Sequence, residues 1–361
     1  MEKYRVGIVG ATGMVGQRFI SLLKDHPWFE VNCVAASARS AGKTYREAVG
    51  ERWAFAWEIP EKVAGMTVVD AADIYEVSKH VDFVFCAVDM KKDEIRALEE
   101  AYAKHEIPVV SNNSACRGIE DVPMVVPEIN ADHLAVIEAQ KKRLGTKNGF
   151  IAVKPNCSIQ SYVPALTPLL DFEPEKVSVC TYQAISGAGK TFKTWPEMVD
   201  NVIPYIGGED EKSENEPLKL WGHLEDGKIV NATLPVISAQ CLRVACSDGH
   251  MAAVSVSFKK KPTIEQIKER WANYETEAQR LELPSAPKPF LQYFEDPSRP
   301  QTRLDRDFQN GFGVSIGRLR EDKLFDYRFV CLSHNTVRGA AGGGILTAEL
   351  LCRKGYIPHR V

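Results

Sequence analysis

No single sign of charge dominates this chain. Its 45 Lys and Arg residues stand against 48 Asp and Glu, for a formal net charge of -3. A balanced surface gives no electrostatic footprint for a polyanion, so nucleic acid is not an expected partner. Long apolar runs are missing too. None approaches the roughly 20 residues that a membrane-spanning helix needs, and no membrane partner is expected. Met1-Glu2-Lys3-Tyr4-Arg5 leads straight into a strand pattern, without the apolar stretch of a secretory signal. The nine cysteines (33, 86, 116, 157, 180, 241, 246, 331 and 352) include no Cys-x-x-Cys pair and no Cys/His array. That excludes a zinc site and a disulfide framework. No metal is expected, and free thiols fit a reducing, cytoplasmic setting. Internal repeats and low-complexity tracts are also absent.

What is present is length and alternation. At 361 residues the chain exceeds what one simple core organises, and two domains are expected. Up to about residue 155, apolar strand patterns (4–10, 31–36, 66–70, 82–88, 108–111, 150–153) alternate with amphipathic helix patterns (13–25, 91–105). Repeated β-α alternation predicts a parallel, doubly wound sheet. Residues 42–60, with Trp53 and Trp57, form an insertion that fits neither pattern. After residue 157 the strand patterns lengthen (176–183, 250–259, 311–318, 325–332), with a helix pattern over 263–280. Hairpin-like neighbours there predict a mixed or antiparallel sheet in an α+β domain. Such an open sheet suits a subunit interface, hence a homo-oligomer. A last helix, 340–353, is small on one face and is expected to pack back on the first domain. The expected division is 1–155 completed by 339–361, and 156–338.

Gly7-Ile8-Val9-Gly10-Ala11-Thr12-Gly13-Met14-Val15-Gly16 follows the first strand and opens the first helix. Glycines there permit a tight turn and close approach of a pyrophosphate to the helix N-terminus, the Rossmann-type dinucleotide signature. Gly10, Thr12, Gly13, Met14 and Val15 are the candidate contacts. The second strand ends in Ser37-Ala38-Arg39-Ser40. NAD binders place an acid there. A guanidinium between Ser37 and Ser40 suits a 2′-phosphate instead, which predicts NADP. Ala184-Ile185-Ser186-Gly187-Ala188-Gly189-Lys190-Thr191 nearly matches a triphosphate P-loop. Ala184 replaces its first Gly, and Pro196 breaks the helix that should follow. A P-loop ATPase is therefore the reading from a different class, and a nicotinamide-covering loop the favoured one.

Cys157 ends an apolar strand in Lys154-Pro155-Asn156-Cys157-Ser158. A helix opening near Ser158 would favour its thiolate through backbone N–H groups and the helix dipole. Arg243-Val244-Ala245-Cys246-Ser247-Asp248-Gly249-His250 sets an Arg and a His about a turn, and a His at a strand mouth suits acid/base work.

Together these motifs resemble the aspartate-semialdehyde dehydrogenases, nearly end to end and nearest to their archaeal and fungal branch. Ser111-Asn112-Asn113-Ser114-Ala115-Cys116-Arg117, Tyr182-Gln183, Glu216-Pro217-Leu218-Lys219 and Asn335…Gly339-Ala340-Ala341-Gly342 extend the match. The resemblance implies NADPH-dependent reductive dephosphorylation of L-aspartyl-4-phosphate, on the route to lysine, threonine and methionine. Cys157 would carry a thioester. His250 would be acid/base and Gln183 would orient the substrate. Arg243 would clamp the α-carboxylate, and Glu216 (or Glu214) would meet the ammonium. Arg117 and Lys219 would hold phosphate, and Asn156 would help stabilise the oxyanion. Ser186, Gly187, Ala188, Gly189 and Asn335 would line the nicotinamide. The expected assembly is a homodimer or homotetramer. Malonyl- or succinyl-CoA reductases and N-acetyl-γ-glutamyl-phosphate reductase are the related alternatives.

Overall fold

The computed structural model describes residues 2–359. Its first sheet is all parallel. From edge to edge the strands are Val69–Asp70, Phe29–Ala36, Tyr4–Val9, Phe83–Cys86, Val109–Ser111 and Ile151–Val153. The inner strands are apolar on both faces because helices cover both sides, and Val6, Ile8, Phe83, Val84 and Phe85 are fully buried. Strand order reverses between Tyr4–Val9 and Phe83–Cys86, which places the Gly-rich turn at the switch point where such sheets bind ligands.

The second sheet has seven strands, ordered Leu291–Phe294, Val314–Glu321, Tyr327–Ser333, His250–Phe258, Pro174–Gln183, Val236–Val244 and Val202–Ile203. It is mixed: Val236–Val244 runs parallel to Pro174–Gln183, while His250–Phe258 is antiparallel to both its neighbours. One face carries Val177, Val179, Val254 and Phe329 into the core. Tyr182, Val202 and Val236, towards one edge of the sheet, stay exposed.

The final helix, Gly342–Arg353, packs Ile345, Leu346, Leu350 and Leu351 into the cluster built by Phe19, Ile20 and Phe85 of the first domain. Each such side chain contributes roughly 1.5–3 kcal/mol by leaving water. Its glycines permit close approach: a Cβ on Gly344 would stand 2.9 Å from the Phe19 ring.

Three expectations change. Residues 263–280 form two helices, Ile264–Ala272 and Glu277–Arg280, because Thr276 starts a new capping box with Gln279. The stretch after Cys157 is a three-residue 3-10 turn, Ser158–Gln160, followed by the one-turn helix Val163–Leu166. So short an element supplies little dipole to the thiol. Residues 42–60 are tied to the first helix: Gln17 donates its amide to the Arg52 carbonyl and accepts from Ala54 N–H, and the Arg18 guanidinium lies 4.2 Å from the Phe55 ring centroid.

Candidate active site

Cys157 lies at the carboxyl end of the first sheet's last strand, half-buried against the second domain. Its Sγ is 3.4 Å from His250 Nε2. His250 is the first residue of a central strand and is fully buried. Ala184 N–H donates to its Nδ1 at 3.0 Å. A backbone N–H can only donate, so the neutral ring carries its hydrogen on Nε2 and presents it to the sulfur. Burial, then Arg243, push the imidazole pKa down to about 3, so the ring is neutral at physiological pH. Burial and the Glu209 carboxylate raise the Cys157 thiol, against the pull of Lys154, Arg243 and Arg117. The resting pair is therefore a thiol beside a neutral histidine.

A cavity of about 260 Å³ opens in front of the sulfur. Arg243, Gln183 and Arg117 line it, as do Ser186, Gly187 and Asn335. Val15 of the Gly-rich turn also reaches it, so one chamber joins the dinucleotide loop to the thiol. Arg243 is buried and donates Nη1 to the Ala184 carbonyl at 2.8 Å. Gly187 is required here, since a Cβ would lie 2.9 Å from Arg243 Nη1 and 3.0 Å from His250 Nε2. Asn335 bridges the loops, accepting from Gly249 N–H at 2.8 Å and donating to Ser186 Oγ at 2.9 Å.

The dinucleotide cradle fits its expected ligand. Gly10 has φ +91°, and a Cβ there would meet the Ala87 carbonyl oxygen at 2.3 Å. The helix Met14–Leu23 begins at Gly13 with no side-chain cap, which leaves first-turn N–H groups for a pyrophosphate. Ser37 and Arg39 are exposed at the end of the second strand, and Ser40 is buried beneath them. The P-loop alternative lacks its helix: Ile185–Ala188 is a 3-10 turn, and Lys190 is exposed, 4.8 Å from the Trp195 ring centroid.

Three expected substrate contacts sit differently. Lys219 is buried and donates to the carbonyls of Arg117, Ile119 and Val122 at 2.7, 2.7 and 3.0 Å. It shapes the Arg117 loop and has no donor left for phosphate. Asn156 gives its side-chain amide to Glu209 and its backbone N–H to Glu216, so neither donor faces an oxyanion. Glu216 pairs with Arg117 at 2.8 Å. Glu214 turns away and accepts from Ala239 N–H.

The carboxylate that lines the Cys157 cavity is Glu209. It opens the helix Glu209–Leu220, after Gly208 at φ 71°. Asn156 Nδ2 at 2.9 Å, Gln183 Nε2 at 3.1 Å and Lys212 Nζ at 2.8 Å all converge on it. Burial opposes its ionisation, but Lys212, Gln183 and Asn156 together hold it below the usual carboxylate range. Sequence reasoning missed both Glu209 and Lys212. The available signal was the Gly207-Gly208 break, which marks the helix start and so the end nearest the site.

These elements place a thiol, a buried guanidinium, a carboxylate and a dinucleotide cradle around one chamber. Two family models match the chain: "Semialdehyde dehydrogenase, NAD binding domain" over residues 5–137 and "Semialdehyde dehydrogenase, dimerisation domain" over 166–338. The aspartate-semialdehyde dehydrogenase of Aspergillus fumigatus is 44% identical, covering 98% of this chain and 99% of its own. This chain belongs to the aspartate-semialdehyde dehydrogenase family. The aspartate-semialdehyde dehydrogenase of Archaeoglobus fulgidus is 42% identical over 98% of this chain and 100% of its own. The aspartate-semialdehyde dehydrogenase of Candida albicans, solved with NADP, superposes with a TM-score of 0.89 at 38% identity, covering 99% of this chain and 100% of that one. The resemblance read from the motifs is thus the family itself. Among the described residues no helix is long and apolar enough to cross a membrane.

Proposed function

We propose that this chain reduces L-aspartyl-4-phosphate to L-aspartate 4-semialdehyde with NADPH, through a thioester on Cys157. The observation that carries this reading is the chamber joining the Gly-rich turn to the Cys157–His250 pair, with Arg243 and Glu209 in its wall. Arg243 offers a planar fork to the α-carboxylate. Glu209 is the better partner for the α-ammonium, and Arg117 with Lys212 for the phosphate. Thiolate attack on the acyl phosphate expels phosphate and leaves the thioester. NADPH, when bound, supplies the hydride for the thioester carbonyl. His250 stabilises negative charge from Nε2–H, first on sulfur and then on the oxygen of the thiohemiacetal. Collapse of that species frees the aldehyde and returns the thiolate. Gln183, anchored to Glu209 and accepting from Thr181 Oγ1 at 2.9 Å, fixes the substrate wall.

Thr12, Gly13 and Met14 would hold the pyrophosphate, and Ser186–Gly189 with Asn335 the nicotinamide. We assign the 2′-phosphate to Ser37, Arg39 and Ser40. Arg39→Ala should weaken NADPH by about tenfold and leave NADH nearly unchanged. Titration of both cofactors by fluorescence checks this, and an unaltered NADPH/NADH ratio would remove Arg39 from the assignment. We place the domain boundaries near residues 155 and 339. We also propose that the exposed edge region of the second sheet around Tyr182, Val202 and Val236 meets a second copy, as a homodimer or a pair of them. Nine free cysteines suit a reducing cytoplasm.

The deciding assay is phosphate-dependent NADP reduction with aspartate semialdehyde, beside malonyl-CoA and succinyl-CoA with NADPH. Turnover only with the CoA esters would replace acyl phosphate by acyl-CoA as the substrate class.

A further inference from the structure

A buried amine lies behind the nucleophile and takes no part in the scheme above. Lys154 begins the Lys154-Pro155-Asn156-Cys157 turn and is 2% exposed. Its ammonium donates to the Pro155 carbonyl within the same turn, and among the described residues no carboxylate pairs with it. The aliphatic stem is clamped from the C-terminal helix, where a Cβ on Gly343 would lie 3.1 Å from Lys154 Cδ. Lys154, Gln160, Arg338 and Glu128 share a cavity of about 10 Å³, room for no more than about one water.

The charges around the lysine come from several elements. Arg117 and Glu216, paired with each other, face it from the 111–117 loop and the helix Glu209–Leu220. Arg338, paired with Glu128 at 2.8 Å, faces it from the turn before the last helix. Cys157 faces it from its own turn, and His250 from the second sheet. The two arginines already have carboxylate partners, so their fields are largely offset. Lys154 has no carboxylate within salt-bridge distance among the described residues, and Glu216, which favours its charge, is itself held by Arg117. A buried charge without a counterion is unfavourable, unless an anion forms nearby. The anion the chemistry requires here is the Cys157 thiolate. His250 is a weak candidate for drawing the proton from that thiol, because Ala184 N–H occupies its Nδ1 and its Nε2 already carries a hydrogen.

We propose that Lys154 is a positioning residue whose buried ammonium is the counter-charge of the Cys157 thiolate, so that the cysteine's reactivity follows the charge on this lysine. The proposal rests on the nucleophilic role assigned to Cys157. Electrostatics agree in direction. Burial, then Arg117, bring the Lys154 amine down to about 7, and of the cations that ease ionisation of Cys157, Lys154 acts most strongly. A Cys157 anion in turn favours the protonated amine, so each charge supports the other.

The test is the pH dependence of Cys157 alkylation by iodoacetamide, with the labelled residue located by mass spectrometry. Lys154→Met should raise the apparent thiol pKa by about one unit and slow labelling at pH 7 by about tenfold. Lys154→Arg, permanently charged, should restore labelling at pH 7 and bring the labelling midpoint to or below that of the wild type. A folded Lys154→Met protein with the wild-type profile would overturn the proposal. A measurement free of substitutions stands beside it. The Lys154 Cε resonance should titrate at lower pH once Cys157 carries a neutral acetamide cap, and an unmoved midpoint would overturn the proposal as well. A Cys157 that labels fast but ignores Lys154 removes the lysine and leaves the acyl-transfer reading intact. A Cys157 no more reactive than the other cysteines removes both.

Discussion

Cys157→Ala should turn over at least about 10⁴-fold more slowly than the wild type, because among the described residues lining the chamber no other offers a thiol, and the hydroxyls of Ser186 and Thr336 are far weaker nucleophiles. The residue is half-buried and alanine fits its place, so the variant should fold and bind NADPH normally. Cys157→Ser should do little better. A serine hydroxyl has no cationic environment strong enough to ionise it, and the neutral His250 hands it a hydrogen from Nε2. Initial rates of phosphate-dependent NADP reduction, with cofactor binding as the control for folding, decide the matter. Substantial activity in Cys157→Ala would mean direct hydride transfer without a covalent intermediate.

Glu209→Gln should lower kcat/KM about 10²-fold or more, with most of the loss in KM. The carboxylate gathers Asn156, Gln183 and Lys212 at the cavity wall. A glutamine keeps the shape, removes the charge and turns an N–H₂ group on donors that need an acceptor. Losing one side of a buried charged cluster costs about 2–5 kcal/mol. If Glu209 receives the substrate ammonium, the penalty should shrink with succinate semialdehyde, which has no amino group. Glu214→Gln should stay within about threefold of wild type, since Glu214 faces Ala239. Should Glu216→Gln alone abolish the preference for the amino substrate, the ammonium site would move to Glu216.

That choice shows where the sequence becomes ambiguous. Glu209-x-x-Lys212 and Glu216-x-x-Lys219 have the same spacing and lie seven residues apart on one helix. Seven residues are nearly two turns, so both pairs share a face, about 10 Å apart along the axis. Periodicity cannot say which end of the helix meets the thiol. That depends on how the helix docks on the Asn156–Ser158 turn, through contacts such as Ser158 Oγ to Ser213 Oγ at 2.9 Å. The commitment of Lys219 to three carbonyls was hidden for the same reason: it depends on the path of the 117–122 loop. Local rules served better where the chemistry is local. The glycine spacing led directly to the turn at Gly10, and strand alternation to the parallel sheet. Cys157 and His250, 93 residues apart, became a pair only through the family resemblance, because no pattern in the chain encodes their 3.4 Å approach.

The last helix has a consequence for how the molecule is made. The turn that precedes it sets Gly339 against Cys157, where a Cβ would lie 3.0 Å from the cysteine Cβ. The helix then fills the hydrophobic gap beside Phe19 and Phe85. Both pieces are translated after the whole second sheet. The first domain, although most of its residues are translated earliest, cannot close its core until then, and domain-by-domain maturation is barred. Cys157 thus gains its final wall in the same late event that completes the cofactor domain, and a chain lacking residues 339–353 would carry a thiol that has never been assembled into a working site.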